Sequence, residues 1–392
     1  MFPLWLIALF TTSFAIGTDD MVVAGILPEI AGEFETSESI AGQLVTVFSL
    51  TYALGAPLMA VATARFDRRR ILLTAHAVFI GANVVAYVAP TYEALFAVRV
   101  VAALAAATIS PIAYGLTFDL ADPSRRGRYL SVLTAGLTVS LIVGVPIGTW
   151  IGGTLGWRQT FLLVAGLAAV AMVGIARSVP STRAGGAVIG VRDRLQPLRD
   201  RRVGLTVLGL VISGAGGMMS YVYLAPLSSA VVHAHSTELA LLIATFGVFG
   251  VVGTMLGGLG ADRVATRRII ILTFGGTSLA AALLLAATTA APVPFAVLVV
   301  LIAVYGLFVW SVNPPVQVRL LAVAGDAADQ VLALNMSALY AGFTLAGAVG
   351  GLALGWGGAT GLLTASVALL GTGTAVLVFS LREDRSLCRS VS

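Results

Sequence analysis

Long apolar runs limit the fold of this chain more than any other feature. Twelve runs of roughly 20 residues are separated by charged residues or by Pro and Gly clusters. A helix needs about 20 apolar residues to cross a bilayer, so each run predicts one transmembrane helix. The predicted spans are residues 4–27, 39–63, 71–89, 93–117, 129–151, 160–178, 204–225, 238–260, 269–290, 295–317, 330–354 and 357–380.

Composition excludes a soluble protein. The chain is 58% hydrophobic and 10% charged, whereas soluble domains are typically about 25% charged. The net charge of +5 could indicate a nucleic-acid partner, but the basic residues would then have to cluster on a folded soluble domain. The apolar runs leave no segment for such a domain. We therefore predict an all-α integral protein of the lipid bilayer that binds no nucleic acid.

Missing residue types exclude several kinds of chemistry. The chain has no lysine, which a P-loop or a Schiff-base enzyme requires, so all 23 basic residues are arginine. Cys388 is the single cysteine, and His233 and His235 have no third metal ligand beside them. No nucleophile, base and orienting residue form a recognisable set. We expect no enzymatic activity, no metal and no cofactor.

Arginines orient the predicted spans. If the N-terminus is cytoplasmic, 21 of the 23 arginines lie on the inside, and Arg158 is the one arginine in an outside loop. The positive-inside rule then predicts that both termini are cytoplasmic in a multi-pass protein of the inner (plasma) membrane. The remaining arginine, Arg99, lies within the fourth span.

The loops after the second and eighth spans are alike, since they read ARFDRRRILL and GGLGADRVATRRIIIL. Arg65 and Arg263 are 198 residues apart, about half the chain, which indicates a duplicated six-span unit. The predicted organisation has four parts. They are a six-helix bundle over 1–178, a cytoplasmic linker over 179–203, a second six-helix bundle over 204–381 and a cytoplasmic tail over 382–392.

These loops resemble the signature loop of the major facilitator superfamily, G-x-x-x-D-R-x-G-R-R. The second loop has one extra residue before its final arginine pair, and its matching residues are Gly258, Asp262, Arg263, Arg267 and Arg268. The first loop keeps Arg65, Arg68 and Arg69, but Ala64 replaces the Asp and Asp67 replaces the Gly. The resemblance thus implies the family's lock of an Asp onto a helix N-terminus for the second half, and the departure questions it for the first.

Other motifs narrow the resemblance. LFAVRVVAA in the fourth span is similar to the L-x-x-x-R motif, with Arg99 as its arginine, and GLTVSLIVGVPIG in the fifth span resembles an antiporter motif. That motif contributes Gly136, Gly144, Pro146 and Gly148. Its small residues let helices approach and Pro146 bends the helix, and the resemblance adds that the bend seals the cavity against leak.

The segments GTDDMVVAGILPEIA, GWRQTF and WSVNPPVQ resemble the bacterial twelve-span drug:proton antiporter branch, which includes exporters of purine nucleosides, arabinose and chloramphenicol. The resemblance implies the major facilitator fold of two six-helix bundles. It also implies a monomer, a small-molecule substrate and protons as the coupling ion.

Asp19 and Asp20 lie in the first span, where a carboxylate costs about 3 kcal/mol and usually serves a function. They lie about 100° apart around a helix, so they face different neighbours. The resemblance favours Asp20 as the proton carrier and leaves Asp19 as a contact between helices or a second candidate. Arg99 should pair with a carboxylate or with carbonyls in the bundle interior; the resemblance implies proton relay, and a structural tie is the alternative. We expect His76 to be packed and hydrogen-bonded.

Polar and aromatic residues in several spans could line a substrate cavity. Trp310, Asn313 and Gln317 share one face of the tenth span. The other candidates are Gln43, Thr46, Tyr52, Tyr221, Tyr223, Asn335 and Tyr340. Such a cavity suits a neutral or weakly polar planar molecule, although the same residues can instead join helices.

We expect a proton-coupled exporter of a small organic molecule, such as a chloramphenicol-like antibiotic or a metabolite, that works by alternating access. The alternatives are a proton-coupled or facilitated importer of sugar or nucleoside, and a membrane sensor or enzyme that transports nothing. The antiporter-like fifth span disfavours the importer. The absence of a soluble domain disfavours the sensor.

Cysteine labelling tests the predicted orientation. With Cys388 replaced by Ser, a single cysteine is introduced either at Ser181 or at Ser236, which fall on opposite sides of the membrane in this topology. An impermeant thiol reagent applied to intact cells should label S236C and leave S181C unlabelled until the cells are permeabilised. Equal labelling of the two variants in intact cells would contradict the orientation.

Overall fold

The computed structural model describes residues 2–63, 65–122, 125–181, 196–324 and 327–390. All regular secondary structure in these residues is helical. The chain forms two compact units, Met1–Ile189 with Ser236–Ala244, and Gly190–His235 with Thr245–Ser392. The division after residue 189 lies within the predicted linker, most of which is outside the described residues. Ser236–Ala244 cluster with the first unit, and the predicted four-part organisation stays a prediction.

Eleven helices in the described residues are long and apolar enough to cross a membrane. They are α1 (Leu4–Gly25), α2 (Glu38–Ala62), α3 (Arg68–Tyr87), α4 (Tyr92–Leu120), α5 (Arg126–Leu155), α6 (Trp157–Ser178), α7 (Arg201–Val222), α8 (Ser236–Arg263), α9 (Thr266–Thr289), α10 (Phe295–Ala324) and the long final helix Gln330–Leu381.

The final helix contains two spans. Gly358 interrupts it with φ 57° and ψ −150°, a conformation that glycine adopts far more readily than other residues. We number the segments before and after Gly358 as α11 and α12. The all-α fold and the twelve expected spans are therefore confirmed, with differences of several residues at the ends of some helices.

One arginine used to orient the spans lies elsewhere than expected. Arg319 was assigned to an inside loop, but α10 continues beyond it and Arg319 is 3% exposed. Its Nε donates to Thr206 Oγ1 at 3.1 Å and its Nη2 to Ser380 Oγ at 2.9 Å. These hydroxyls bind the guanidinium inside the second unit. The sequence did not indicate this, because an arginine just after an apolar run is typical of a loop. Without Arg319, the inside loops still hold far more arginines than the outside loops, so the predicted orientation is unchanged.

Close packing against α5 holds α1 inside the first unit. Glycines recur along one face of α5, and a Cβ at any of them would overlap α1. Their contacts are Phe10, Thr18 and Val22 of α1 for Gly136, Gly144 and Gly148, and Ile26, which directly follows α1, for Gly152. Gly17 of α1 meets Ser140 of α5 in the same way. Small residues at such spacing let helix backbones approach closely, and we call this contact the glycine seam.

A π-helical segment interrupts α5 beside the seam. It covers Ser140–Gly144 and ends just before Pro146. Pro146 has no N–H and its ring crowds the carbonyl four residues earlier, so the wider turn relieves a clash that a regular helix would contain. Such segments often occur at functional sites.

A cluster of charged and polar groups joins several helix ends at one end of the first unit. The Glu33 carboxylate accepts hydrogen bonds from Trp157 Nε1 at 2.6 Å and from Arg158 Nη2 at 2.7 Å. Arg158 Nη1 also donates to the Tyr87 carbonyl at 2.8 Å. The Trp-Arg pair of the GWRQTF segment therefore links the chain after α1 to the ends of α3 and α6.

Replacing a seam glycine should destabilise the first unit. Gly148→Leu places a side chain where Val22 already lies, and overpacking of this kind typically costs about 1–3 kcal/mol. Gly166→Leu is the matched control, because a Cβ at Gly166 meets no atom within 4 Å. Thermal unfolding of the two purified variants in detergent should show a lower midpoint for Gly148→Leu. Equal midpoints would mean that the seam is not tightly packed.

Candidate proton-coupling site and its surroundings

A buried ion pair joins α1 to α4 in the first unit. Arg99 Nη1 donates to Asp19 Oδ2 at 2.9 Å, and Arg99 Nη2 donates to the Asp19 backbone carbonyl at 3.2 Å. The side chains are 1% and 0% exposed, respectively. Arg99 therefore faces the interior and binds both a carboxylate and a carbonyl of one residue.

Aromatic rings enclose this pair. The Arg99 Cζ atom is 4.2 Å from the centroid of the Phe48 ring and 5.9 Å from that of Phe161, distances at which a ring attracts a cation. Two atoms of the pair, Asp19 Oδ1 and Arg99 Nε, are buried without a hydrogen-bond partner. Removing one member of a buried pair usually destabilises by about 3–5 kcal/mol, since the other charge stays buried and uncompensated. The pair is therefore costly to break. Asp19 Oδ1 remains able to accept a hydrogen bond or a proton, and Arg99 Nε remains able to donate a hydrogen bond.

Asp20, the predicted proton carrier, is also buried, with 4% of its surface exposed. Its neighbour Asp19 is the carboxylate that binds Arg99. The helix geometry that separates adjacent side chains thus assigns the two carboxylates different surroundings. Which of them carries a proton stays a prediction.

His76 lies in a hydrogen-bonded chain elsewhere in the first unit. Its Nδ1 is 2.8 Å from the Leu72 carbonyl and its Nε2 is 3.1 Å from Thr12 Oγ1. Thr12 Oγ1 is in turn 3.0 Å from the Ala8 carbonyl. Because a carbonyl can only accept, Nδ1 carries the proton that goes to Leu72, and the single hydrogen of the Thr12 hydroxyl goes either to the Ala8 carbonyl or to Nε2. His76 is packed and hydrogen-bonded, as expected.

The predicted cavity residues of the first unit lie on α2. Gln43 Nε2 donates to the Ser39 carbonyl at 3.2 Å, while the Thr46 hydroxyl is buried without a partner. Tyr52 is half-buried and packs against the core of the unit.

In the second unit, two predicted amides contact each other. Asn335 is fully buried and its Nδ2 donates to Asn313 Oδ1 at 3.0 Å, which links α11 to α10. Asn335 Oδ1 and Trp310 Nε1 are buried without a hydrogen-bond partner. Gln317 and Tyr340 are half-buried. The structure therefore shows the interhelical contact that was the alternative to cavity lining, together with an acceptor and a donor that remain unpaired.

Phe246 organises the aromatic residues of the second unit. Its ring centroid is 4.8 Å from that of Tyr221, 6.3 Å from Tyr305 and 6.5 Å from Trp310. The hydroxyl of Tyr223 instead donates to the Gly347 carbonyl at 2.6 Å. Sequence reasoning missed Phe246 and Tyr305, because an aromatic residue in an apolar helix has no signal that separates a cluster from ordinary packing.

Side chains of the first signature loop make specific contacts although the loop departs from the family pattern. Asp67 caps α3, since its Oδ1 accepts from Arg70 N at 2.8 Å. Arg68 forms an ion pair with Asp119 of α4 at 2.5 Å, and Arg69 donates to the Ala176 carbonyl. Arg65 is exposed. An Asp does lie at a helix N-terminus in the first half, at a position where the family has Gly.

The second signature segment covers the end of α8, with Gly258, Asp262 and Arg263, and the start of α9, with Arg267 and Arg268. Asp262, Arg263 and Arg268 are exposed, and Arg267 is half-buried with its Nε enclosed. A Cβ at Gly258 meets no atom within 4 Å. Whether these residues gate transport stays a prediction.

Glu29 is a residue whose surroundings the sequence did not reveal. It follows α1, and its Oε2 is buried without a hydrogen-bond partner. Burial raises the pKa of the Glu29 carboxyl above its ordinary value, against the opposing effect of a hydrogen bond from its own backbone N–H. Within the part of the chain that the structure describes, no group of three or more His, Cys, Asp or Glu could hold a metal ion.

Comparisons with known proteins place these features in a family. The chain is 31% identical to a chloramphenicol resistance protein of Streptomyces lividans, over 94% of each chain. It is 30% identical to the inner membrane transport protein YdhP of Escherichia coli (strain K12), over 90% of this chain and 89% of that one. A probable sugar efflux transporter of Mannheimia succiniciproducens is 26% identical over 88% of this chain and 84% of its own length.

Solved structures share the fold. A D-xylose-proton symporter has a TM-score of 0.76 and 17% identity over 96% of each chain. A bacterial homologue of the human lysosomal transporter Spinster has a TM-score of 0.75 and 18% identity over 96% of each chain. The sequence model of the Major Facilitator Superfamily matches residues 9–324. The chain therefore belongs to the Major Facilitator Superfamily and is a multi-pass membrane transporter.

Proposed function

We propose that this transporter is a proton-coupled exporter of a small, uncharged organic molecule, and that α1 carries the coupling site. The observation that carries the proposal is the buried Asp19–Arg99 pair, with a second carboxylate, Asp20, adjacent on the same helix. Ionisable groups are rare inside membrane helices and typically mark ion or substrate pathways.

The direction of transport is supported by the relatives. The chloramphenicol resistance protein and the probable sugar efflux transporter are similar to this chain over most of their length, and resistance is commonly achieved by export. The solved structures include a proton symporter, but at 17% identity that likeness shows the fold alone. Import of sugar or nucleoside is therefore not the function proposed.

The two carboxylates have different roles in this proposal. Asp19 anchors Arg99, because the buried guanidinium needs a negative partner. Asp20 takes a proton from the outside and loses it to the cytoplasm as cargo binds. Since Arg99 lies on α4 and both carboxylates lie on α1, a change of charge at this point alters the contact between the two helices. The glycine seam beside Thr18 and Val22 supports α1 while this contact changes.

The second unit suits an uncharged cargo. Its candidate lining residues are aromatic rings and amides, and the unpaired Trp310 Nε1 and Asn335 Oδ1 offer one donor and one acceptor. A planar molecule with a carbonyl and a hydroxyl or amide N–H would complement them. We place the protein in the inner membrane as a monomer with both termini cytoplasmic.

The test separates the roles of the two carboxylates by proton release. Purified protein in weakly buffered detergent receives chloramphenicol as the probe, while pH and probe binding are recorded. Asp20→Asn should abolish proton release, because Asn cannot titrate, yet keep probe binding and thermal stability. Asp19→Asn should instead lower the stability by roughly 3 kcal/mol, since Arg99 is left without a carboxylate.

A double variant and a surface variant complete the test. Asp19→Asn combined with Arg99→Gln removes both charges and should recover most of the lost stability. Asp122→Asn, an exposed carboxylate after α4, should change neither proton release nor stability. Full proton release from Asp20→Asn would contradict the assignment and transfer the coupling role to Asp19. Probe binding that releases no protons in the unmodified protein would contradict proton coupling itself.

A further inference from the structure

A cavity of about 560 Å³ lies at one end of the first unit, between the starts of α2 and α4 and the loop that precedes α2. It shares no residue with the Asp19–Arg99 site, although Phe96 lies one helical turn before Arg99 on α4. Its lining consists of Phe34, Glu35, Thr36, Ile40, Tyr92, Glu93 and Phe96. The volume falls in the range of cavities that bind small molecules.

Three aromatic rings form a connected wall of this cavity. The centroids of Phe34 and Tyr92 are 6.4 Å apart, and those of Tyr92 and Phe96 are 6.2 Å apart. A cation is attracted to a ring when it lies within about 6 Å of the centroid. The rings contact each other and leave no space between them, but a compact cation in the cavity beside two such neighbours can lie within about 6 Å of both centroids.

The charges of the cavity favour a cation. Its lining contains two carboxylates, Glu35 and Glu93, and no basic residue. Arg158 does approach this wall, with its Cζ 6.0 Å from the Phe34 centroid. Arg158 does not line the cavity, and Glu33 already neutralises it at 2.7 Å.

Local backbone geometry holds the lining residues in place. Tyr92 Oη donates to the Ile40 carbonyl at 2.6 Å and so joins the starts of α4 and α2. Thr36 N donates to the Ala31 carbonyl at 2.9 Å, and Glu35 has φ 49°. This is the Schellman ending of a short helix, Leu27–Glu33, that lies between α1 and α2; the left-handed position of such an ending is usually glycine. The wall is thus a built structure rather than a set of free side chains.

The simplest alternative is an interfacial belt, because Tyr and Trp are common where helices leave a bilayer. A belt accounts for the rings, and the dipole of α4 accounts for an acid in its first turn. Neither accounts for rings and two carboxylates around one concave volume.

We propose that this cavity binds an organic ammonium group, held by the faces of Phe34, Tyr92 and Phe96 and by the carboxylates of Glu35 and Glu93. The ammonium group belongs either to a free amine compound or to the headgroup of an aminophospholipid, since helix ends lie at the membrane surface. This site is separate from the proposed coupling site and does not depend on it.

The test compares two probes that differ in charge alone. Choline and its uncharged carbon analogue 3,3-dimethyl-1-butanol are titrated into the full-length protein in detergent, and binding is followed by calorimetry and saturation-transfer NMR. Choline should bind at least about fivefold more tightly than the analogue. Glu93→Gln and Tyr92→Leu should each weaken choline binding by about threefold or more, whereas Tyr92→Phe keeps the ring and should bind nearly as well.

Asp122→Asn is the matched control, because it removes one carboxylate just beyond the other end of α4. Equal binding of choline and its analogue would overturn the proposal. So would Glu93→Gln and Tyr92→Leu variants that bind choline like Asp122→Asn while unfolding at the temperature of the unmodified protein.

A lipid comparison identifies the source of the ammonium group. The choline titration is repeated in nanodiscs of phosphatidylglycerol, with and without phosphatidylethanolamine. Loss of choline binding when phosphatidylethanolamine is present supports the cavity as a site for the lipid headgroup. Unchanged binding in both nanodiscs supports a free ammonium compound as the ligand.

Discussion

The backbone-close packing of α1 against α5 is the constraint on which the coupling site depends. A helix with two adjacent carboxylates is stable in a membrane only where neighbouring protein replaces water. The glycines of α5 bring a second backbone against α1 along most of its length, and α4 supplies Arg99 from another side. With a larger residue at Gly144 or Gly148, α1 would move away, and the distance between Asp19 and Arg99 would change with it.

The same packing device recurs in the second unit with a different result. A Cβ at Gly253 or Gly257 of α8 would overlap the backbone of α10 at Leu307 or Ser311. There the close approach brings Trp310 beside Gly250 and Phe246, so that aromatic rings occupy the interior at this contact. One unit thus carries the buried ion pair, and the other carries the aromatic cluster and the amide pair, which is the division that the proposed exporter uses.

Arginine has several roles here that composition alone does not separate. Arg99 is buried with a carboxylate, Arg319 is buried with two hydroxyls on other helices, and Arg158 lies in a partly exposed cluster with Glu33. A guanidinium can satisfy all three settings because its donors are spread over a planar fork. The count that orients the spans includes Arg158 and Arg319, and it holds because most of the other arginines lie in loops or at the ends of helices.

The sequence by itself determined the class of the protein and the number of its spans, because hydrocarbon admits only segments whose backbone bonds are internal and about 20 residues long. It also pointed to Asp19, Asp20 and Arg99, since charge is conspicuous in an apolar segment. Only the tertiary structure decided that Arg99 binds Asp19, that Asp67 caps α3, that α5 packs against α1 and that Phe34, Tyr92 and Phe96 line one open cavity. Each of these depends on which faces of distant helices meet. A helix can turn each residue toward lipid, toward a neighbour or toward a cavity without any change in its local sequence signal.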